Sequence, residues 1–488
     1  MYNTRIDKQE NENMVFSSIS FLSGFLVLVF LIHTVVPDIR IKNACLVLFS
    51  ILFYAVGEPV YVVLMLGSSL MNYLLGLWMN RADKKKQKKL KKGVLIAAIV
   101  LNLALLVVFK YTDFLIGIVN RIGHWSIPYL KLVMPIGISF FTFQTMSYII
   151  DLYRGDCTCQ KNYFRLLLYI SFFPQLIAGP IIKYRDIEAE IADRRQTMTD
   201  IEYGIRRFIV GLSKKVLISN ALAQMVDRLM PHASGLGMAA AWLVAIGYTL
   251  QIYYDFSGYS DMAIGLGRMF GFHFKENFNY PYASLSIKEF WRRWHISLST
   301  WFKEYVYIPL GGNRKGGART ILNKYIVFFL TGLWHGANTT FILWGLFHGT
   351  FLVLEGHTKF SIRRVRWKWV QYLYTMLVVI CGFVMFRADS VAQGLGILGQ
   401  MFSFRGNAEG WILARAELTP YLITALLAGI LCMFPWAEAI KGKLQNCKRV
   451  QTASVVQIAT GIGLLACLLI CMVMLASDAY NPFIYFRF

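Results

Sequence analysis

The sequence has few charged residues for its length. Only 16% of its 488 residues are Asp, Glu, Lys or Arg, whereas a soluble globular protein carries about 25%. Hydrophobic residues make up 56%, and apolar stretches recur along nearly the whole chain. This composition excludes an ordinary soluble enzyme and predicts an all-α polytopic membrane protein.

Twelve apolar stretches approach the roughly 20 residues that a helix needs to cross a bilayer. They lie near 15–37, 41–57, 59–79, 93–111, 134–150, 164–182, 236–254, 321–333, 338–355, 369–386, 418–436 and 453–476. Some are short and contain Gly or Pro, which predicts re-entrant segments that protein or water must cover. Residues 1–14 are polar and are predicted to form an exposed tail, and residues 15–488 a single transmembrane domain.

Acidic residues are scarce relative to basic ones, and the formal net charge is +23. Most Lys and Arg lie in short connections between apolar stretches, as the positive-inside rule expects. The segment "NRADKKKQKKLKK" at 80–92 holds eight basic residues and one acidic residue, so we place it in the cytoplasm and the N-terminus outside. It lacks the interleaved aromatic residues of single-strand nucleic-acid binders, so the expected partners are membrane lipids and not nucleic acid.

The eight cysteines show no metal-binding spacing. Most lie within apolar stretches, which predicts unpaired thiols that act as small hydrophobic residues. The "CTC" at 157–159 is followed by no further Cys or His at matching spacing. No metal site is therefore predicted.

Two acidic residues border apolar stretches in the aromatic-rich middle of the chain. Asp255 and Asp261 are costly at membrane depth, where such residues usually face a cavity or a charged partner. Alternatively, Asp255 and Ser257 cap a helix that begins near Tyr259. The sequence leaves both interpretations open.

The segment "SIKEFWRRWHISLSTWFKEYVYIP" at 286–309 has the pattern of one helix. Ser286 and Glu289 form a capping box, and Pro309 ends the helix. The spacing predicts an apolar stripe of Ile287, Trp291, Trp294, Leu298, Phe302 and Tyr305 beside a polar stripe of Lys288, Arg292, Ser299 and Lys303. His295 lies on the seam, either as a histidine at the membrane interface or in a polar passage whose basic stripe binds anionic substrate groups.

The segment "LTGLWHGANTTFILWGLFHG" at 330–349 carries two histidines in an apolar run. Asn338 or Thr339 is a good N-cap for a helix that reaches about Glu355. His335 then precedes a helix N-terminus, which favours negative charge nearby. A neutral histidine can act as a general base, although a hydrogen-bonded structural role is the alternative. His348 lies about 20 Å of helix rise further on, so the pair cannot share one metal ion unless the chain folds back.

Seven longer motifs are spread along the chain, and the resemblance they carry covers nearly all of it from about residue 14 onward. They are "FYAVGEPVYVVLML" (53–66), "MPIGISFFTFQTMSYIIDLYRGD" (134–156), "FFPQLIAGPI" (172–181), "YYDFSGYSDMAIGLGRMFG" (253–271), "NFNYPYASLSIKEFWRRWHISLSTWFKEYVYIPLGGNRKG" (277–316), "WHGANTTFILWGLFHG" (334–349) and "NPFIYFRF" (481–488). In this order they resemble the membrane-bound O-acyltransferase family, and within it the alginate O-acetyltransferase branch. One departure is Val56, where tryptophan is expected before Gly-Glu-Pro.

The resemblance implies a ring of about 11–12 transmembrane helices, with short re-entrant or interfacial helices around a central tunnel. It implies transfer of an acyl group, with acetyl expected, from a cytoplasmic thioester donor across the plasma membrane. The donor is acetyl-CoA or an acyl carrier, and no bound cofactor is expected. The implied acceptor is an extracellular polysaccharide, which the acyl group reaches through an extracellular acetyltransferase or esterase-like partner. The "FIYFRF" terminus is expected either to contact that partner or to shape the outer mouth of the tunnel.

The family's catalytic residues are carried over by motif. His335 matches the catalytic histidine in its Trp-His-Gly setting, and His295 matches an upstream tunnel histidine in its Arg-Trp-His setting. The predicted tunnel and substrate-binding residues are Trp334, Asn338, Arg292, Asp255, Ser257 and His348.

Two other functions fit parts of the sequence. The same motifs fit D-alanyl transfer to teichoic acid. A proton-coupled small-solute transporter would use the intramembrane Asp and His residues as a proton relay. The paired halves expected of such a transporter are not seen in the sequence.

Overall fold

The computed structural model describes residues 15–357, 362–404, 406–436, 450–477 and 480–484, and throughout these ranges the secondary structure is helical without strands. The prediction of an all-α protein is confirmed. The predicted tail at 1–14 lies outside the described residues. The chain divides into two compact units: residues up to Phe208 with Ala263–Lys275, and Ile209–Met262 with the residues from Glu276 onward. A single domain over 15–488 stays a prediction.

Among the described residues, seven helices of seven or more residues belong to the first unit and nine to the second, and two long helices contribute to both. The first set is α1 (Ser20–Val35), α2 (Ile39–Gly57), α3 (Tyr61–Lys84), α4 (Lys88–Gly123), α5 (Ile138–Arg154), α6 (Tyr163–Ser171) and α7 (Tyr184–Ala192). The shared helices are α8 (Met198–Leu229) and α9 (Gly237–Met269). The second set is α10 (Ile287–Arg293), α11 (Ile296–Phe302), α12 (Gly317–His335), α13 (Thr339–His357), α14 (Lys368–Arg387), α15 (Val391–Met401), α16 (Ala408–Glu417), α17 (Pro420–Cys432) and α18 (Val450–Ala476).

Several of these helices are long and apolar enough to cross a membrane. Within the described ranges six meet that condition, namely α2, α3, α4, α8, α14 and most of α18, and a seventh arises if the bent pair α16 and α17 is one span. The protein is therefore a multi-pass membrane protein. The count is lower than the predicted 11–12 spans, in part because the 164–182 stretch breaks after Ser171, where a short helix restarts with Pro174 in its first turn.

The predicted continuous helix over 286–309 is wrong. The segment forms α10 and α11, and His295 between them has the left-handed backbone angles φ 42° and ψ 56°. The predicted N-cap is confirmed, because the Ser286 hydroxyl accepts a hydrogen bond from the Glu289 amide at 3.1 Å. A left-handed conformation is uncommon outside glycine, so contacts from elsewhere must hold His295 in place.

The alternative in which Asp255 and Ser257 cap a helix near Tyr259 is also wrong. Helix α9 runs without a break from Gly237 to Met269, so neither side chain lies at a helix start. Asp255 instead has a charged partner, as described below.

Helices α8 and α9 approach closely in the second unit because both carry glycine at the contact. A Cβ atom on Gly211 would lie 2.5 Å from the Gly258 carbonyl oxygen and 2.7 Å from the Met262 amide nitrogen. A Cβ atom on Gly258 would in turn lie 2.7 Å from the Gly211 carbonyl oxygen. Small residues let membrane helices bring their backbones together, and here the backbones leave no room for a methyl group.

We expect Gly211→Ala to destabilise the protein by about 1–3 kcal/mol, because the new methyl group meets backbone atoms that cannot rotate away. The measurement is the melting temperature in detergent. Gly93→Ala in α4 is the matched control, since nothing lies within 4 Å of its Cβ position, and alanine there should leave stability unchanged or slightly higher. Equal melting temperatures for the two variants would contradict the close crossing.

Candidate active site

The second unit contains a narrow cavity that two of the predicted histidines share. It is lined by His295 and His335 together with seven apolar side chains: Ile252, Phe256, Trp294, Trp344, Phe383, Phe386 and Ile484. The cavity is so narrow that it admits about one water molecule. The cavity therefore combines two imidazoles with apolar walls.

His335 lies at the junction of two helices. It is the last residue of α12, and α13 begins at Thr339, as the sequence predicts. Asn338 caps α13, because its side-chain oxygen accepts a hydrogen bond from the Thr340 amide at 3.2 Å. The His335 side chain is thus fixed at a helix end, close to the N-terminus of the next helix.

Aromatic rings fix the orientation of the His335 imidazole. Its centroid lies 5.0 Å from the Trp334 ring, 5.2 Å from the Trp344 ring and 5.1 Å from the Phe386 ring, and all three contacts are edge-to-face. Edge-to-face packing is a preferred geometry for aromatic pairs. The residue is only 7% exposed, and it lines the cavity.

The backbone turn at His295 is held by Asn277. The Asn277 carbonyl oxygen accepts a hydrogen bond from the Ile296 amide at 2.9 Å. Its side-chain oxygen accepts from the Ser297 amide at 3.2 Å and from the Ser297 hydroxyl at 2.8 Å. The side-chain nitrogen donates to the Ser260 hydroxyl at 3.1 Å. These contacts join the break between α10 and α11 to α9.

The side-chain amide of Asn277 also determines which ring nitrogen of His295 carries the proton. His295 Nδ1 lies 3.2 Å from the Asn277 side-chain oxygen, and that atom is an oxygen because the Ser297 backbone N–H also points to it. Nδ1 must therefore donate, which leaves Nε2 unprotonated in the neutral ring. Nε2 is buried and has no hydrogen-bond partner among the described residues, so it is free to accept a proton or a hydrogen bond from a molecule in the cavity.

Histidine and tryptophan rings alternate through the site. The Trp334 ring lies 5.8 Å from His295 and 5.0 Å from His335, and the Trp344 ring lies 5.2 Å from His335 and 5.3 Å from His348. The structure thus brings His295, Trp334 and His335 together. His348 does not line the cavity and lies beyond Trp344.

His348 is packed among aromatic residues. Its ring stacks on Phe290 at 6.1 Å with an interplanar angle of 15°, and a Cβ atom on Gly382 would come within 2.6 Å of its Nε2. Neither ring nitrogen has a hydrogen-bond partner among the described residues. This tight fit is that of a packing residue, and a substrate-binding role for His348 stays a prediction.

Asp255 forms a buried ion pair and does not line the cavity. Its carboxylate lies 2.6 Å from the Lys215 ammonium, and both side chains are at most 3% exposed. The Ser219 hydroxyl donates to the same carboxylate at 3.3 Å. The sequence left open whether Asp255 has a charged partner or caps a helix. In the structure it has a charged partner, Lys215.

Two other predicted residues are not brought to the cavity. Ser257 is buried on α9, and its hydroxyl has no hydrogen-bond partner in the described part of the chain. Arg292 is exposed, as are Lys288 and Lys303, and the break at His295 separates Arg292 from Lys303. Their role in substrate binding stays a prediction.

Several residues of the site were missed from the sequence. They are Asn277, Lys215, Trp344, Phe256, Phe383, Phe386, Ile252 and Ile484. Asn277 opens one of the quoted motifs and Trp344 lies within another, so motif membership was an available signal. Phe256 and Ile484 also lie within quoted motifs, whereas Phe383, Phe386 and Ile252 are apolar residues within apolar stretches and carried no local signal. Over the described ranges, no three His, Cys, Asp or Glu side chains form a group that could hold a metal ion.

Comparison with known proteins identifies the family. A profile of the membrane-bound O-acyltransferase family matches residues 161–395. The chain is 39% identical over 498 residues to the probable alginate O-acetylase AlgI of Pseudomonas putida, and this match covers 97% of the chain and 100% of that protein. The chain belongs to the membrane-bound O-acyltransferase family.

Two further relatives extend the range of acyl transfer. The peptidoglycan O-acetyltransferase of Helicobacter pylori is 35% identical over 421 residues, which is 80% of this chain and 78% of that protein. The teichoic acid D-alanyltransferase of Bacillus subtilis is 30% identical over 271 residues, which is 52% of this chain and 67% of that protein. The membrane-bound O-acyltransferase described here is therefore an enzyme, an O-acetyltransferase.

We expect Asn277→Ala to lower the rate of acyl transfer about 10²-fold, because a small misplacement of a reacting group has that effect and His295 loses the contact that fixes its tautomer. Asn277→Asp should retain more activity, since a carboxylate oxygen can still accept from His295 Nδ1. The measurement is transfer of labelled acyl groups in membranes.

Asn279→Ala is the matched control, because this exposed asparagine two residues away makes only backbone hydrogen bonds. If Asn277→Ala and Asn279→Ala were equally active and equally folded, Asn277 would have no role in positioning His295.

Proposed function

We propose that this enzyme takes an acyl group, with acetyl as the expected group, from a thioester donor in the cytoplasm and passes it across the membrane for O-acetylation of a cell-surface polysaccharide. The observation that carries the proposal is the apolar cavity that His295 and His335 share. Two of the relatives, a probable alginate O-acetylase and a peptidoglycan O-acetyltransferase, support a polysaccharide as the final acceptor.

His335 is the proposed catalytic residue. As a general base, it takes the proton of an acceptor hydroxyl while that oxygen attacks the thioester carbonyl carbon. The carbon–sulfur bond then breaks, and the proton passes to the departing thiolate. If His335 instead accepts the acyl group, its nitrogen attacks the same carbon and later yields the acyl group to the hydroxyl. Both routes end in an ester and a free thiol.

His295 is proposed to assist through Nε2. Because Asn277 holds the proton on Nδ1, Nε2 can only accept. It can therefore orient the acceptor hydroxyl or relay its proton, but it cannot donate to a developing oxyanion while the ring is neutral. This asymmetry gives the two histidines different roles in the same cavity.

The apolar walls support a transfer that excludes water. A dry site protects a reactive acyl group from hydrolysis, and the narrow cavity has no room for a sugar ring. This supports a separate acceptor on the outer side, namely the esterase-like or acetyltransferase partner that the family resemblance implies.

One alternative has a specific observation in its favour. The match to a teichoic acid D-alanyltransferase supports D-alanyl transfer by the same fold, and mass spectrometry of the transferred group distinguishes the two acyl groups. The solute transporter considered from the sequence gains no such support, because the relatives reported above are transferases.

We expect His335→Ala to reduce acyl transfer about 10²–10⁴-fold, which is the usual contribution of a general base. The assay follows labelled acetyl from acetyl-coenzyme A into polymer, in membranes that contain the complete polysaccharide-modifying system. Folding is checked by the melting temperature in detergent.

His232→Ala is the control, because His232 is exposed and does not line the cavity. A folded His335→Ala variant with the transfer rate of the control would refute the proposed role of His335.

A further inference from the structure

We infer that the segment Tyr480–Ile484 is one wall of the cavity and that Ile484 limits the length of the acyl group the enzyme transfers. The inference rests on the proposed function, since it concerns the acyl group held beside His335. Its basis is the way this segment, more than 200 residues after α8 and α9, is fixed in the second unit.

Ile484 is directly at the site. Its side chain lines the cavity together with His295 and His335, and the residue is 5% exposed. Its backbone amide donates to the Asp255 carboxylate at 2.8 Å. This lining residue is therefore positioned by the buried ion pair.

The ion pair holds the segment from two directions. The Lys215 ammonium contacts the Asp255 carboxylate and also donates to the Pro482 carbonyl oxygen. Asp255 uses its second oxygen for Ile484. A buried charge that loses its partner is strongly unfavourable, so the two charges and the segment form one unit.

The remaining residues of the segment are also anchored. The Tyr480 hydroxyl donates to the Asp227 carboxylate, and the Asn220 side-chain nitrogen donates to the Asn481 side-chain oxygen at 3.1 Å. The Phe483 ring lies 4.9 Å from the Tyr259 ring. Each residue from 480 to 484 thus has a contact to α8 or α9. Because the segment is held at every position, it cannot move aside to accommodate a longer acyl chain.

Ile484 can be shortened without removing an aromatic ring that packs against His335. Trp344 and Phe386 pack against each other and against His335, so truncating either one would release the imidazole. Ile484 has no aromatic contact of this kind. Replacing it with alanine removes three carbon atoms from the wall, which matches the extra length of a butyryl over an acetyl group to within one carbon.

The experiment compares acetyl-, propionyl- and butyryl-coenzyme A as donors for the full-length chain in membranes that contain the polysaccharide-modifying system. The wild type should transfer acetyl most efficiently. We expect Ile484→Ala to raise the ratio of butyryl to acetyl transfer about ten-fold, the discrimination that one methylene group gives in an apolar pocket. Ile484→Val, a milder change, should raise it less.

Ile397→Ala is the matched control, because it removes the same atoms from a fully buried isoleucine that does not line the cavity. Ile397→Ala should leave the acyl preference unchanged. If Ile484→Ala also left it unchanged, the inference would be wrong, but the proposed function would still stand. Failure of the proposed function looks different: the wild type would then show no His335-dependent transfer from any of the three donors.

A second variant tests whether the ion pair between Lys215 and Asp255 holds the segment Tyr480–Ile484 in place. Asp255→Asn keeps the shape of the side chain but removes its charge, so we expect a raised butyryl-to-acetyl ratio together with a lower melting temperature. Asp389→Asn serves as its control, because that carboxylate is 83% exposed. An unchanged acyl preference in a folded Asp255→Asn variant would show that the ion pair does not hold the wall.

Discussion

The contacts of Asn277 are the constraint on which the candidate site depends. This residue lies 18 positions before His295 and binds Ile296 and Ser297 on the far side of the break between α10 and α11. A left-handed residue costs about 1–3 kcal/mol, and the hydrogen bonds of Asn277 offset that cost. If the helix ran on unbroken, it would carry His295 round to a different face, away from His335.

The apolar surroundings give the two imidazoles their chemical character. Aromatic rings hold His335 on three sides, and a single amide sets the proton position of His295. Neither histidine depends on a long flexible side chain for its orientation, so little reorganisation is needed when a substrate arrives. The orientation of both rings is therefore set by packing and by one hydrogen bond.

Local signals in the sequence predicted local structure well. The cap at Ser286 and the start of α13 at Thr339 follow from short-range rules, and the motif resemblance selected His295 and His335, which do share a cavity. The break at His295 could not be predicted in this way, because helical periodicity continues through it and the residue that holds it lies in an earlier segment. The partner of Asp255 is likewise 40 positions away in the chain, where no pattern connects it to Lys215.

The distance in sequence between Lys215 and Pro482 has a consequence for biosynthesis. The two residues are 267 positions apart, which at ribosomal speed is roughly 13 to 50 seconds of translation. During that interval α8 and α9 enter the bilayer with Lys215 and Asp255 already adjacent. The wall of the cavity that Tyr480–Ile484 forms has not yet been synthesised. The cavity is thus completed only when residues 480–484 have been synthesised. A nascent chain that stopped before them would have His295 and His335 in a cavity that lacks one wall.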